Sequence, residues 1–345
     1  MEKVISLSRP GHPDLMCDQI ADALVDEYLR RDKQARINLR VFGSHGMLMI
    51  GGEVDSVADF DLSILAKQVY KEIGYDDDVE VFVHLEPVSE EGRAAGNVGM
   101  ESVVVHGYAT DETMECLPRP LVYAQELLRR LDDVRRADPS FAWMRSDGGI
   151  LLTTEKGAIS RLTLHVSHES TIEVADVRTR LLEKIVHPVV NNEQTIISLN
   201  TTGPFTVDGW RRRAGGNGST RSSQGYGGLL PASSHGFSGR DPGCAERAGA
   251  YGGRAAALFL VRTGLASQAY VTLAYAGGEQ TPLLVQASGL GPKTRGTKLD
   301  LTNVVKKAFD FRLPALVERF GLLKPQYQPT SAYGSFGRAG YSWEE

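Results

Sequence analysis

The sequence predicts an α+β fold of three pseudo-repeated βαββαβ-type units whose sheets pack inward. Strand-like alternation and helix-like periodicity follow one another in a fixed order, and that order recurs along the 345 residues. The recurring unit spans roughly 100–110 residues, which points to internal duplication. With 41% hydrophobic residues, the chain has enough apolar content to bury two or three domain-sized cores.

The first pass opens with a strand at 4–8 and a helix from Pro13 to Arg31, on which Met16, Ile20, Leu24 and Tyr28 form an apolar stripe. Strands at 36–43 and 47–54 follow, hinged at Ser44-His45-Gly46, then a helix near 60–73 and a strand at 79–85. The second pass predicts a strand at 102–109, a helix at 121–136, strands at 149–153 and 159–167, a helix at 174–186 and a strand at 195–200. The third predicts a strand near Phe205, a helix around 245–263, strands at 269–275 and 281–287, and a helix at 303–309. Read as units, these passes give an N-terminal repeat (1–98), a central repeat (99–202) and a C-terminal repeat (203–345).

Composition narrows the function classes. A net charge of −5 lacks the basic excess of a nucleic-acid surface. The sequence contains neither a membrane-spanning run nor a secretory leader, and Glu2 and Lys3 make its start polar. Cys17, Cys116 and Cys244 have no paired spacing, which points to a reduced, cytoplasmic setting and away from a thiolate metal site.

Two stretches point to an anionic ligand. In "SRPGHPDLMCDQIADAL", Ser8 to Leu24, a Gly-His-Pro-Asp junction opens a helix, whose free backbone N–H groups suit an anion. Leu15, rather than a lysine, follows Asp14. Between Gly203 and Gly253 lie fourteen of the chain's 37 glycines, interspersed with Arg211, Arg212, Arg213, Arg221, Arg240 and Arg247. Glycine lets backbone approach a ligand closely, and guanidinium forks match phosphate oxygens. A flexible, solvated linker is the alternative, weakened by Phe205, Trp210, Tyr226, Phe237 and Tyr251.

"GHPDLMCDQIADA" resembles the N-terminal motif of the S-adenosylmethionine synthetases (methionine adenosyltransferases). "HGYATDET", from His106, resembles that family's hexapeptide region, and "SSHGFSGRDP", from Ser233, its glycine-rich ATP loop. "GGEV" at Gly51, "NTTGPFTVDG" at Asn200 and "YQPTSAYGSFGRAGYSWEE" at the C-terminus follow in the family's order. The resemblance implies the three-repeat fold and a homodimer, or dimer-based oligomer, with active sites shared between two subunits. Its substrates are ATP and methionine or a related thioether. The sulfur displaces triphosphate from C5′ of ATP, and the triphosphate is then hydrolysed to phosphate and diphosphate. A thioether needs no general base, so this chemistry calls for cations around the leaving group.

The resemblance also implies roles. His12 lies near the leaving oxygen and triphosphate and forms the catalytic pair with Arg240; Gly236 and Arg240 belong to the ATP loop. Asp14 and Glu246 match Mg²⁺ ligands, Phe205 an aromatic under adenine, and Asp147 an acid of an ATP-contacting segment. Glu53 matches an acid that binds the substrate ammonium, and Glu101 replaces another substrate-side acid. Blander roles stay open: His12 as a helix cap, Phe205 as core, Asp18 and Asp22 as a solvated helix face.

Leu15, Gly149, Ser219, Thr220 and Cys244 stand where the family has cations, while Arg9, Arg211, Arg212, Arg213 and Arg221 occur in the matching segments. The sequence therefore predicts an ATP-binding collar rebuilt from arginine, with Arg213 and Arg221 in it. Arg213 also occupies the place of an aspartate on the methionine side, which implies an altered substrate pose, pairing with Glu53, or an anionic acceptor. Arg40 stands where an acid holds a monovalent cation, which puts a K⁺ requirement in doubt. A non-catalytic nucleotide-binding paralogue or subunit, and a triphosphate hydrolase without alkyl transfer, remain as alternatives.

Overall fold

A computed structural model describes residues 2–94, 101–190, 192–219, 225–230, 236–291 and 299–345. The first pass contains β1 (Lys3–Ser8), α1 (Pro13–Arg31), β2 (Arg36–Ser44), β3 (Met47–Asp55), α2 (Leu62–Ile73), β4 (Glu80–Glu86) and the short α3 (Glu90–Ala94). The second contains β5 (Val103–Thr110), α4 (Arg119–Ala137), β6 (Met144–Glu155), β7 (Ala158–His168), α5 (Val174–Leu181) and β8 (Ile196–Leu199). Then come α6 (Gly209–Arg212), β9 (Gly215–Gly216), α7 (Ala245–Arg262), β10 (Gln268–Tyr275), β11 (Leu284–Leu290), α8 (Leu301–Ala308) and α9 (Leu313–Phe320).

The strands form three sheets, ordered β1-β6-β7-β8, β4-β3-β2-β9 and β11-β10-β5. Each sheet takes one strand from an adjoining pass: β1 pairs with β6, β5 with β10, and β9 with β2, all antiparallel. The three passes interlock in a cycle. Side-chain periodicity shows where strands are but not which strand pairs with which, so this exchange is invisible in the pattern.

Each sheet turns one face inward onto a long helix: α4 against β1 and β6, α1 against β2 and β9, α7 against β5 and β10. α1 is enclosed nearly all round; only Asp14, Glu27, Arg30 and Arg31 escape burial. α7 crosses β5 on bare backbone, because a Cβ at Gly107 would lie 1.9 Å from the Gly253 carbonyl carbon.

Three local expectations change. Phe205 is in a loop, not a strand: His168 N–H donates to its carbonyl (2.9 Å) and its own N–H donates to His168 Nε2 (3.1 Å). The helix after Glu173 widens into a π-turn at Leu182–Val186. The short α9, stabilised by burying Leu313, Leu316 and Phe320, had no counterpart in the sequence pattern.

Asp241 ties the loop before α7 to β2. Its N–H donates to Ile37 O (2.8 Å), and its Oδ1 accepts Gly243 N–H (2.7 Å). Oδ2 is buried without a hydrogen-bond partner among the described residues. Burial pushes the carboxyl pKa up to about 7, against the pull of Gly243 and Ile37 backbone hydrogen bonds and the charges of Arg247 and Arg36. The folded chain thus holds a proton that the unfolded chain has released above about pH 4. The stabilising difference is complete below that pH and fades as pH rises toward 7. Asp241→Asn should flatten this decline by on the order of a few kcal/mol. Unfolding midpoints at pH 5 and pH 8 check it; an unchanged pH slope contradicts it.

Candidate active site

The site is organised by α1. Asp14, Asp18, Asp22 and Asp26 recur every fourth residue on one stripe, and each receives backbone from a distant loop. Asp14 accepts Gly216 N–H (3.2 Å) and Asp18 accepts Gly218 N–H (2.7 Å). Asp22 accepts Gly239 N–H (2.9 Å), the Ser238 and Ser331 hydroxyls (2.9 and 2.6 Å) and Arg247 Nη2 (2.5 Å). Asp26 accepts the N–H groups of Gln326, Tyr327 and Gln328 (2.7, 2.9 and 2.9 Å). Asp18 and Asp22, 1% and 2% exposed, are therefore not a solvated face. They anchor the glycine-rich stretch.

Gly236 packs directly on Gly218, where a Cβ would fall 2.3 Å from the Gly218 carbonyl oxygen. Asn217 reinforces the junction, donating to Leu39 O and Ser238 O (3.1 and 2.7 Å). Glycine is needed at 236 for close approach of two loops.

One cluster lines a pocket of about 640 Å³ containing His12, Asp147, Gly149, Phe205, Arg212 and Arg213. Arg212 lies over the Phe205 ring, 4.8 Å from its centroid. His12 caps α1: its Nδ1 accepts Asp14 N–H at 3.2 Å. That bond places the imidazole hydrogen of neutral His12 on Nε2, where an Arg213 Nη2 donor meets it. Two donors converge on one point, an arrangement that an interposed oxyanion satisfies.

Both Asp147 oxygens are engaged, by Gly148 N–H (2.6 Å) and Gly209 N–H (3.0 Å), so Asp147 fixes the start of α6 and hence Arg212 and Arg213. Burial raises its pKa, an effect these two donors partly offset. His165, which no sequence motif singled out, also lines the pocket; burial, then the Arg212 charge, hold its pKa down and keep it neutral at pH 7.

A second cluster surrounds Arg240. Its Nη2 lies 3.5 Å from Glu101 and 3.7 Å from Glu246, while its Nε is buried with no partner among the described residues. Arg40 lies in the same field, its pKa pressed down by burial and by Arg240, with Glu101 and Glu246 opposing. Glu53 stands on β3, opposite Asn38 and beside Glu86. Among the described residues there is no group of three or more His, Cys, Asp or Glu set to hold a metal ion.

Family profiles cover almost the whole chain. That of the S-adenosylmethionine synthetase N-terminal domain matches residues 5–89, the central domain 94–205 and the C-terminal domain 207–345. The chain belongs to the S-adenosylmethionine synthetase family. Proteins named S-adenosylmethionine synthase from Sorangium cellulosum and Thermus thermophilus are 32% and 30% identical to it. Each alignment covers 97% of this chain, and 85% and 93% of the respective relative. The protein of that name from Methylobacterium radiotolerans is 33% identical, covering 97% of this chain and 93% of the relative.

Within this family member the arginines divide by position. Arg212 and Arg213 face the pocket. Arg9 does not join the collar: fully buried, it pairs with Asp132 (2.7 Å) and donates to Arg145 O and Asp147 O, and so acts structurally. Arg211 turns to Asp77 at 3.2 Å. Arg221, Thr220 and the Ser233-Ser234-His235 part of the ATP loop lie outside the described residues. Leu15 and Cys244 are buried, so neither substitution leaves a gap in a solvent-facing collar. No described helix is long and apolar enough to cross a membrane.

Proposed function

We propose that this family member transfers the adenosyl group of ATP to methionine through an active site in which arginine carries most of the triphosphate charge. The carrying observation is the convergence of His12 and Arg213 beside the Phe205–Arg212 shelf in one pocket. Adenine stacks on Phe205, with Arg212 either moving aside or covering the base. The sulfur–C5′ bond forms as C5′–O5′ breaks, and triphosphate leaves with the bonding pair. His12 and Arg213 receive its charge, and Arg240 does the same from the second cluster.

The hard oxygens of Asp14 and Glu246 suit Mg²⁺, which is typically held by one or two carboxylates together with waters and substrate phosphates. Asp14 keeps Oδ2 3.9 Å from His12 Nδ1, and Glu246 opens α7 beside Arg240. Mg²⁺ bound there would neutralise charge developing on the leaving group. Arg40, beside Glu101 and Glu246, supplies a fixed positive charge in place of K⁺. Because Arg213 faces His12 rather than Glu53, the substrate ammonium falls to Glu53.

The active enzyme is a dimer. The open face of the β1-β6-β7-β8 sheet exposes Val4, Leu151 and Ile196, and Ser6, Leu151, Thr163 and His165 on that face also line the pocket. A second copy laid there would cover apolar surface and close the site. Three buried free cysteines accord with a cytoplasmic setting.

The experiment incubates the protein with ATP, Mg²⁺ and methionine, without added K⁺, and follows sulfonium product and phosphate. Stoichiometric sulfonium, phosphate and diphosphate are expected. Phosphate alone makes it a triphosphate hydrolase, and neither product makes it a non-catalytic nucleotide-binding subunit; either result overturns the reading.

A further inference from the structure

A cavity of about 870 Å³, larger than the pocket of His12 and Phe205, opens between α9, the turn after it, the start of β2 and the turn before α7. Its walls include Leu313, Pro314, Val317 and Leu323. Lys33, Arg36 and Lys324 also line it, against a single carboxylate, Glu318. Arg36 donates from Nη1 to Arg93 O (3.2 Å), a bond that engages one nitrogen of its fork. An apolar hollow of this size with a few cations has the character of a small-molecule site, and the charge balance selects an anion.

This cavity shares backbone with the Arg240 turn. Gly243, in its wall, donates to Asp241 Oδ1 (2.7 Å), and Asp241 N–H donates to Ile37 O (2.8 Å), one residue from Arg36. On the same strand Leu39 N–H donates to Gly239 O (2.9 Å), and Asn38 forms a β-bridge with Arg240. The strand that runs on from Arg36, a wall residue, therefore holds both flanks of Arg240 through Ile37, Asn38 and Leu39.

We propose that this cavity binds a small amphipathic anion, an apolar body with one carboxylate or sulfonate head, and that occupancy alters ATP binding through the Asp241–Gly243 turn. The apolar body lies on Val317 and Leu323; the head meets Lys324, Lys33 and Arg36. Coupling requires only that the ligand favour one setting of the turn over another.

The test titrates the full chain calorimetrically with 1-naphthoate, using neutral 1-naphthalenemethanol as comparison. The naphthoate should bind at one saturable site that ATP does not vacate. Lys324→Ala should weaken binding about tenfold, the loss of one charge-assisted contact, and the neutral probe, which forgoes all three cations, should bind more weakly still. Leu323→Asp, at a wall position 37% exposed, should abolish binding while its melting temperature and ATP turnover match those of the parent protein. Saturating naphthoate should shift the KM for ATP in the parent protein and not in Leu323→Asp. Absence of saturable binding, indifference to both substitutions, displacement by ATP, or self-association through this face in place of probe binding overturns the proposal. A KM that does not move overturns its coupling to the site.

Discussion

Arg240→Ala lowers kcat by about 10²–10³, the loss typical of removing one preorganised donor from a developing oxyanion. Arg240 is 8% exposed, with Glu246 and Glu101 both near its Nη2 and with Nε unpartnered among the described residues. A guanidinium so confined has little freedom to lose when triphosphate arrives, and that is the advantage of preorganisation. Alanine also strips Glu246 of one of its neighbouring cations, leaving Arg40, so a folded-state check by circular dichroism belongs to the experiment. Arg240→Lys separates the two effects: it keeps the charge but loses the fork, and should retain more activity than alanine. Steady-state kinetics of both variants decide the matter; equal kcat in all three proteins contradicts the assignment.

Asp22→Ala destabilises the protein by about 3–5 kcal/mol, because it leaves a buried guanidinium without its partner. The Asp22–Arg247 pair lies inside the fold at 2.5 Å, and Asp22 also receives Ser238, Gly239 and Ser331. Arg247 remains engaged by Arg240 O and Phe237 O but loses its only charged partner among the described ion pairs. Urea unfolding measures the loss. Asp22→Ala combined with Arg247→Met should cost less than the sum of the single changes, since the orphaned charge is gone. Strict additivity, or an effect below about 1 kcal/mol for Asp22→Ala, contradicts the hub.

Helix α1 shows both what the sequence disclosed and what it hid. Its bounds, Pro13 to Arg31, follow from local chemistry, since proline opens the helix and His12 caps it. The aspartate ladder on the same helix reads in one dimension as solvent-facing polarity. Only the return of residues 215–218, 236–241 and 326–328 over α1 buries it, and those contacts are 200 to 302 residues away in sequence. The i, i+4 recurrence was the available signal; a helix apolar on its remaining faces leaves no side for solvent.

Arg9 and Arg212 make the same point from opposite directions. Both are arginines in segments matching a phosphate site, yet one is sealed against Asp132 and the other lies over Phe205. Charge is legible in sequence; the direction of a side chain is set by tertiary neighbours. The cyclic exchange of β1, β5 and β9 was hidden for a related reason, because periodicity carries no partner identity.

The most direct measurement is a crystal structure of the protein with Mg²⁺ and a non-hydrolysable ATP analogue. The account predicts adenine against Phe205 and the phosphate tail within hydrogen-bond distance of His12, Arg213 and Arg240, the last supplied by either copy of a dimer. A tail lying in solvent, with the guanidiniums of Arg213 and Arg240 directed elsewhere, would contradict it.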